Sequence, residues 1–504
     1  MTSLQIGLAS LLVLYTVLGI AMYLFVQKSG KRFIIAGKRM PFIIVGTMLY
    51  AQALDANSTV GASSGVYLGG FWTGFVFPLG LALTLICVGL WFAKPLNKMN
   101  LITLCDFYYR RYNNTVEILT GLVMGISFII LVAGNLAGVA WVVHAIFNID
   151  YLVSLALISA IVLAYTFSGG LFSCAATDVI QEYPAFLAFV IAPIVLVFTF
   201  GWGYFAEAIP PEFMDFSGLT KIENGALINW AGILALALGD IVALDFMERV
   251  FAAKDPEIAQ KGCYYASAFT LTVGIGASVL GLMALKFYPS LEDPRDILPL
   301  IATEHLPFIV GLFVIGGVVG AGLSTANGGA LAVSAIIGRN FLMRNVLLPR
   351  HRREAEGKGV TLQDLHIDWR GEDRKLLWYA RFMLIPVFAV ALFLAYVKPE
   401  PGVMLVLAFD VVFAGCLAPL VLGLFWSKAN TSGALASVLV GSFLRLILYF
   451  AIPPEWAGLD TLIPPVVSFV LMVVVSLATQ QSDKPKHDVI DKVPTDEEVA
   501  LALA

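Results

Sequence analysis

The chain has 504 residues, of which 59% are hydrophobic and only 13% are charged, with a formal net charge of −4 at pH 7. Soluble proteins carry about 25% charged residues, so this composition and a mean hydropathy of +0.87 exclude an ordinary soluble protein and indicate many membrane crossings. The weakly acidic balance argues against a nucleic-acid partner, and the five scattered cysteines form neither a disulfide framework nor a zinc site.

Apolar runs long enough to span a bilayer predict an all-α polytopic membrane protein with thirteen transmembrane helices. The first run has no basic segment before it, so we interpret it as a retained span and not as a cleaved signal peptide. In chain order the predicted spans are residues 4–26, 41–69, 72–93, 117–146, 151–168, 176–201, 227–246, 262–286, 307–338, 377–397, 402–426, 431–451 and 461–480.

Basic residues cluster in alternate connections, namely those after spans 1, 3, 7 and 9, whereas the connections after spans 6 and 8 are mainly acidic. Basic connections stay in the cytoplasm, which predicts an outer N-terminus and a cytoplasmic C-terminus. The predicted organisation is an extra helix with a basic loop (1–40), a first five-helix unit (41–201), a second unit with a cytoplasmic loop at 340–375 (202–426), two peripheral helices (427–480) and a cytoplasmic tail (481–504).

Polar residues interrupt the second apolar run, which reads YAQALDANSTVGASSGVYLGG over residues 50–70. A carboxylate at bilayer depth costs roughly 2.5–3.5 kcal/mol on insertion scales, so we expect Asp55 to face a cavity or a polar partner. The side chains of Asn57, Ser58 and Thr59 compete for helical hydrogen bonds, and glycines follow them. The second span is therefore predicted to be a broken helix. Alternatively, Asp55 is protonated and has only a structural role, which is to form hydrogen bonds with the backbone groups that the break exposes.

A second acid, Asp240, lies near the middle of span 7 and follows Gly239. Spans 2 and 7 would be the first members of two five-helix units, spans 2–6 and 7–11, although the two halves share no strong residue similarity. Polar, glycine-interrupted segments at corresponding positions of two halves indicate a transporter site at the midplane, where unwound carbonyls hold an ion and a substrate. Alternatively, Asp240 pairs with a buried donor for structural reasons.

Residues 61–65 read GASSG and match the Gly-x-Ser-x-Gly pattern of serine hydrolases. A serine nucleophile needs a base, and the one histidine inside a predicted span is His144, near the outer end of span 4. The sequence also has no HExxH motif, phosphate-binding loop or group of metal ligands. These observations disfavour an enzyme.

Five further stretches follow one another along residues 40–440. They are GASSGVY (61–67), YTFSGGLFSCAATDVIQ (165–181), MERVFAAKDPEIAQKG (247–262), the small-residue run from RDILPL to GRNF (295–341) and LGLFWSKANTSGALAS (422–437). Each motif is weak alone, but together and in this order they resemble the sodium:solute symporter family, which includes the sodium/proline and sodium/glucose transporters.

The resemblance implies a LeuT-type fold of inverted five-helix repeats, alternating access and Na⁺ as the coupling ion. Asp178 matches the family's loop acid associated with sodium leaving to the cytoplasm. Na⁺ prefers oxygen ligands. The adjacent hydroxyls of Ser324 and Thr325 and the carbonyls freed near Asp55 would supply such ligands, unless both hydroxyls bond back to their own helix. Matched on Gly61, the family's sodium site falls on Ala51, Leu54, Ala321, Ser324 and Thr325.

Two ionised midplane carboxylates would repel each other unless an amine, a quaternary ammonium group or a second cation lay between them. Asn57 and Asn135 can add neutral hydrogen bonds, although Asn135 can equally serve helix packing. The predicted substrate site is therefore Asp55, Asn57, Asn135 and Asp240. Where this sequence has Asp55, many relatives have a serine, and this departure leaves the substrate open. Asp410, in span 11, has no role that the sequence indicates.

We therefore expect sodium-coupled import of a small cationic or amine-bearing solute. Alternatives are a symporter for a neutral or zwitterionic nutrient or a monocarboxylate, with the acids protonated or holding a second cation, and a transporter-like membrane sensor. A channel is less consistent with the Ser-Thr pair. The expected partners are the small-molecule substrate and the lipid bilayer, with no obligatory protein partner, and the expected location is the plasma membrane, the inner membrane of a bacterium.

Overall fold

The structure is a computed structural model that describes residues 2–359, 368–490 and 492. In this part of the chain there is no strand, and one isolated parallel bridge pairs Met40 with Ala253. A helix satisfies its backbone donors and acceptors internally, which is what a segment surrounded by lipid requires.

Within the described residues, seventeen helices build the bundle. Those of the first half are α1 (Ser3–Ala21), α2 (Phe42–Ala53), α3 (Ala56–Gly69), α4 (Phe71–Cys87), α5 (Asn114–Phe147), α6 (Tyr151–Gly169) and α7 (Leu171–Phe200). Those of the second half are α8 (Ala226–Leu234), α9 (Leu244–Ala252), α10 (Pro256–Phe287), α11 (Phe308–Ile336), α12 (Leu348–Lys358), α13 (Trp369–Val397), α14 (Pro401–Gly415), α15 (Leu417–Phe425), α16 (Thr431–Ala451) and α17 (Leu459–Ala478). Shorter helices lie between them, at Tyr23–Val26, Gly30–Ile35, Ala93–Lys98, Cys105–Arg111, Trp202–Ala206, Ser217–Thr220 and Ile297–Glu304.

Ten helical stretches of the described residues are long and apolar enough to cross a membrane. Two pairs that bend at a short break bring the number to twelve. One is Ala226–Val242, which begins with α8, and α9, bent by 45°, and the other is α14 and α15, bent by 47°. Predicted span 2 is divided into α2 and α3, neither of which is long enough alone. The protein is therefore an all-α, multi-pass membrane protein, whereas the count of thirteen and the orientation of the termini stay predictions.

The described residues of the predicted cytoplasmic loop at 340–375 are largely helical. From α11 the helix continues through the π-helical stretch Ile337–Leu347 into α12, which ends at Lys358. Residues 360–367 of this segment, and residues 491 and 493–504 of the predicted tail, lie outside the described residues.

Buried charges explain why this extension is helical. Arg339 Nε donates to Asp106 Oδ2 at 2.8 Å, Arg344 Nη2 donates to Asp106 Oδ1 at 2.9 Å, and Arg344 also pairs with Glu117. Asn340 donates to both carboxylates. Burial raises the pKa of Asp106, but the guanidinium groups of Arg339 and Arg344 outweigh it and hold that pKa well below its usual range. These two arginines are therefore buried partners of acids and not solvated loop cations.

The predicted loop between spans 5 and 6 is also wrong. α6 ends at Gly169 and α7 begins at Leu171, so one residue, Gly170, makes the turn at φ +53°. A Cβ at this position would clash with the backbone carbonyl oxygen of Phe33. Asp178, expected as a loop acid, therefore lies inside α7, where it is fully buried.

We expect Gly170→Ala to destabilise the protein more than Gly225→Ala. Gly225 also has a positive φ, +84°, but a Cβ there would meet nothing within 4 Å. Gly225, at ψ 16°, lies in the left-handed helical region, which costs an alanine roughly 1–2 kcal/mol. Gly170, at ψ −133°, lies in a different conformation that L side chains rarely adopt, and Gly170→Ala also adds overpacking of about 1–3 kcal/mol. Thermal unfolding of the purified variants in detergent measures the difference, and equal losses would contradict a steric role for Gly170.

Candidate ion and substrate site

The break in span 2 lies at Leu54 and Asp55, whose backbones leave the helical region, with ψ of 87° and 177°. Asp55 caps α3, because its Oδ1 accepts from the Ser58 amide at 2.7 Å while its own amide donates to Ser58 Oγ at 3.0 Å. This reciprocal pair is a capping box, and the positive end of the helix dipole favours a carboxylate there. Asp55 therefore begins a new helix at the point where α2 ends.

Two asparagines complete the surroundings of Asp55. Asn135 Nδ2 on α5 and Asn57 Nδ2 donate to Asp55 Oδ2 at 2.7 and 3.0 Å. Asn135 Oδ1 also accepts from the Ala56 amide at 3.1 Å. The Asp55 side chain accepts in its contacts with Ser58, Asn57 and Asn135, which is the behaviour of an ionised carboxylate. The structure thus brings three of the four predicted substrate residues into one hydrogen-bonded network around the break.

Because of the break, two carbonyl oxygens at the end of α2 do not accept the hydrogen bonds that they would accept in a continuous helix. In a continuous helix the Asp55 amide would bond to Ala51 O, but it donates to Ser58 Oγ. The Ser58 amide would bond to Leu54 O, but it donates to Asp55 Oδ1. Ala51 O instead accepts from Thr325 Oγ1 on α11 at 3.2 Å. The backbone oxygens of two predicted sodium ligands are thereby made available for other partners.

Ser324 connects α11 to both α2 and α7. Its Oγ donates to Asp178 Oδ1 at 2.7 Å and accepts from Gln52 Nε2 at 2.9 Å. Neither this hydroxyl nor that of Thr325 bonds back to its own helix in the structure, which is against the alternative considered from the sequence. Ala321 lies one turn earlier on α11 and is fully buried. Hydrogen bonds inside the bundle thus join Thr325 to Ala51 and Ser324 to Asp178, whereas no side-chain hydrogen bond among the described residues joins Leu54 or Ala321 to them.

Sequence reasoning missed two polar residues of this group, Gln52 and Glu182. Gln52 contacts Ser324 across 272 positions of sequence, a pairing that no local pattern encodes. Glu182 follows Asp178 by four residues on α7, is fully buried, and has no hydrogen-bond partner for either carboxylate oxygen among the described residues. An acid inside an apolar span is itself a functional signal, so Glu182 could have been found.

Asp240 is the fourth predicted substrate residue. The π-helical turn Ala235–Gly239 precedes it, and Ala243 is extended with ψ of 124°, so span 7 is interrupted where the sequence predicts. Asp240 is 1% exposed, and neither of its carboxylate oxygens has a hydrogen-bond partner among the described residues. A buried carboxylate is expensive unless something compensates it. The structure does not join Asp240 to Asp55, Asn57 or Asn135 by a hydrogen bond.

A family model described as the sodium:solute symporter family matches residues 33–329 and 363–441 of the chain. The chain belongs to the sodium:solute symporter family. It is therefore a membrane transporter of a sodium-coupled family and not an enzyme. The resemblance drawn from the five sequence stretches is confirmed.

Individual relatives give the range of similarity. The symporter is 23% identical to high affinity choline transporter 1 of Homo sapiens over 441 residues, which cover 83% of this chain and 71% of the relative. It is 26% identical to a sodium/proline symporter of Staphylococcus aureus (strain bovine RF122 / ET3-1) over 466 residues, which cover 86% and 85% of the two chains.

Solved structures share the fold. A substrate-bound, outward-open Na⁺-coupled sialic acid symporter superposes with a TM-score of 0.73 at 15% identity, covering 95% of this chain and 98% of that one. MhsT in complex with L-phenylalanine superposes with a TM-score of 0.53 at 13% identity, covering 87% and 99%. The expected LeuT-type fold is confirmed.

We expect Ser58→Ala to lower stability by about 1 kcal/mol, because it removes the acceptor for the Asp55 amide and with it half of the capping box. Ser63→Ala is the matched control on the same helix, since the Ser63 hydroxyl bonds only to its own preceding turn. Thermal unfolding in detergent measures both variants. Equal effects of the two substitutions would show that the cap does not hold the break.

Proposed function

We propose that the symporter imports a small cationic or amine-bearing solute together with Na⁺ by alternating access. The observation that carries the solute class is Asp240, a buried carboxylate in a broken span whose two oxygens have no hydrogen-bond partner among the described residues. An ammonium group placed against it would supply the missing counter-charge. We propose the plasma membrane, the inner membrane in a bacterium, as the location.

For sodium, the proposed ligands are the carbonyl oxygens of Ala51, Leu54 and Ala321 and the hydroxyls of Ser324 and Thr325. The 3.2 Å contact of Thr325 Oγ1 with Ala51 O supports this assignment, because it brings oxygens of α2 and α11 together. Oxygen ligands from a broken helix and its neighbour suit a hard cation. Ser324 donates its hydrogen to Asp178 and accepts from Gln52 Nε2, which leaves one lone pair of its oxygen for an ion.

Asp178 has two roles in this proposal. It orients the Ser324 hydroxyl through Oδ1, and its Oδ2 has no hydrogen-bond partner among the described residues. A carboxylate oxygen beside the site can receive the ion when it leaves the five ligands. This supports the role in sodium release to the cytoplasm that the family match implies.

For the solute, we propose that Asp240 binds the ammonium group while Asp55, Asn57 and Asn135 line the same site from the break. Asn57 Oδ1 has no hydrogen-bond partner among the described residues and is an acceptor for an N–H of the solute. Two relatives are named for choline and for proline. Choline is a quaternary ammonium ion, and proline is a zwitterion that carries an ammonium group.

The second candidate is a symporter for a neutral or zwitterionic nutrient or a monocarboxylate. The closed network around Asp55 favours it, since that acid is already satisfied and needs no cationic solute. A transporter-like sensor would bind the solute without moving it. Sodium-dependent accumulation of a radiolabelled solute in proteoliposomes separates the sensor from both symporters.

We expect Thr325→Ala to raise the sodium concentration that gives half-maximal transport by about tenfold, equivalent to about 1.4 kcal/mol. The variant removes one ligand oxygen and its contact with Ala51, whereas Thr325→Ser keeps the hydroxyl and should restore the response. Ser334→Ala is the control on the same helix, because the Ser334 hydroxyl bonds to Leu331 O within α11. An unchanged sodium dependence in Thr325→Ala would remove this residue from the site.

A thermal-shift screen of amines, quaternary ammonium ions, amino acids and organic acids, with and without sodium, tests the solute class. We expect ammonium solutes to stabilise the wild type only with sodium present, through linkage. Asp240→Asn should abolish this shift while the stabilisation by sodium alone persists. A sodium-dependent shift with a monocarboxylate, retained in Asp240→Asn, would instead support the second candidate.

A further inference from the structure

A small cavity of about 210 Å³ lies at the predicted cytoplasmic end of α13, away from the residues assigned to sodium and to the solute. One wall comes from the end of the first span and the connection that follows it, and the other comes from the first half of α13. The lining residues are Tyr23, Lys28, Arg374, Leu377, Trp378 and Arg381. Three of these six residues are basic and none is acidic, so the cavity favours an anion.

Arg381 is the buried basic residue of this lining. It is 4% exposed, and its Nη2 donates to the carbonyl oxygen of Ser168, at the end of α6, at 2.7 Å. Its guanidinium carbon lies 5.4 Å from the ring centre of Tyr23 and 5.6 Å from that of Trp378, and such contacts hold a cation in place. Arg381 Nε has no hydrogen-bond partner among the described residues. A buried donor without an acceptor is unfavourable, and an anionic oxygen in the cavity would supply one.

The other two basic residues, Lys28 and Arg374, are exposed and form no ion pair within the part of the chain that the structure describes. Asp373, the acid next to Arg374, is directed elsewhere, because its Oδ1 accepts from the Lys31 amide at 2.9 Å. This hydrogen bond also holds the connection that carries Lys28 against α13. The positive charge of the cavity is therefore available to a ligand.

An apolar face of α13 continues from the cavity toward the middle of the membrane. Trp378, Phe382 and Ile385 follow Arg374 at intervals of three or four residues, so they share one side of the helix. They are 44%, 51% and 49% exposed, as expected for side chains that meet lipid. Trp378 and Tyr23 are of the residue types that prefer the level of the lipid headgroups.

Basic groups at the cytoplasmic end of such a face match the two parts of an anionic phospholipid, its phosphate and its acyl chains. Pockets that enclose a whole drug-sized ligand measure about 300–1,000 Å³. The volume of about 210 Å³ is smaller and suits a headgroup alone. A free phosphate ester would use the basic residues but would leave the apolar face unused.

We propose that this cavity binds the phosphate group of an anionic phospholipid of the cytoplasmic leaflet. Arg381, Arg374 and Lys28 hold the phosphate, and the acyl chains lie along Phe382 and Ile385. The site is separate from the transport site and does not depend on which solute is carried. The competing explanation is that Arg381 only fastens α6 to α13, while the two exposed basic residues stay solvated.

Native mass spectrometry of the purified full-length protein in a neutral detergent, titrated with dioleoyl phosphatidylglycerol, tests the site. We expect saturable binding of a first lipid, weakened at least about tenfold in the double variant Lys28→Gln/Arg374→Gln. The matched control Lys98→Gln/Lys254→Gln removes two exposed basic residues of other predicted cytoplasmic connections and should leave this binding unchanged. Dioleoyl phosphatidylcholine, which has no net charge, should bind at least about tenfold more weakly. Equal losses in the two double variants, equal binding of the two lipids, or no binding would overturn the proposal.

Thermal unfolding in the same detergent separates a lipid from a free phosphate. We expect phosphatidylglycerol to raise the unfolding temperature of the wild type but not that of Lys28→Gln/Arg374→Gln, whose replaced side chains are exposed and not needed for folding. sn-Glycerol 3-phosphate, which has the phosphate without acyl chains, should cause no shift at the same concentration. Equal shifts with both compounds would assign the cavity to a soluble phosphate ester and contradict the lipid site.

Discussion

The capping box between Asp55 and Ser58 is the interaction on which the centre of the symporter depends. It ends α2 by taking the two amides that would otherwise continue the helix, and in the same step it frees the carbonyls of Ala51 and Leu54. Asn135 fixes the geometry from α5 by accepting from the next amide. A continuous helix would not free these backbone oxygens, so the sodium site that we propose within span 2 depends on this cap.

Buried carboxylates in the bundle differ in how their charge is compensated. This difference distinguishes acids that have a partner within the protein from acids that are available to a ligand. Asp55 accepts from three N–H donors, Asp178 accepts from Ser324, and Asp410 pairs with Arg445. Asp240 has no such partner among the described residues. Glu182 also has none among these residues. Because an uncompensated charge in lipid is unfavourable, a bound cation would stabilise the protein most at these two acids.

The sequence allowed the break at Asp55 and the interruption at Asp240 to be predicted, because the signals are local: a capping residue, hydroxyl side chains and glycines within an apolar run. The single-residue turn at Gly170 and the helical extension beyond residue 337 could not be predicted in this way. The extension depends on Asp106 and Glu117 meeting Arg339 and Arg344, which lie more than two hundred positions later in the chain. The pairing of Asp410 with Arg445 could not be predicted for the same reason, since the local sequence of an arginine does not identify the acid that it contacts in the fold.

Both halves of span 2 contact α11, and α3 also packs on α14. The hydrogen bond from Thr325 Oγ1 to Ala51 O joins α11 to α2. Gly61 of α3 and Gly402 of α14 allow their backbones to approach closely, because a Cβ on either would crowd the other's Cα at 3.2 Å. A change in how α3 packs on α14 therefore acts on the same short break that presents the Ala51 carbonyl to α11. In the function that we propose, only the residues around Asp55 separate the contact of α3 with α14 from the sodium ligand Ala51.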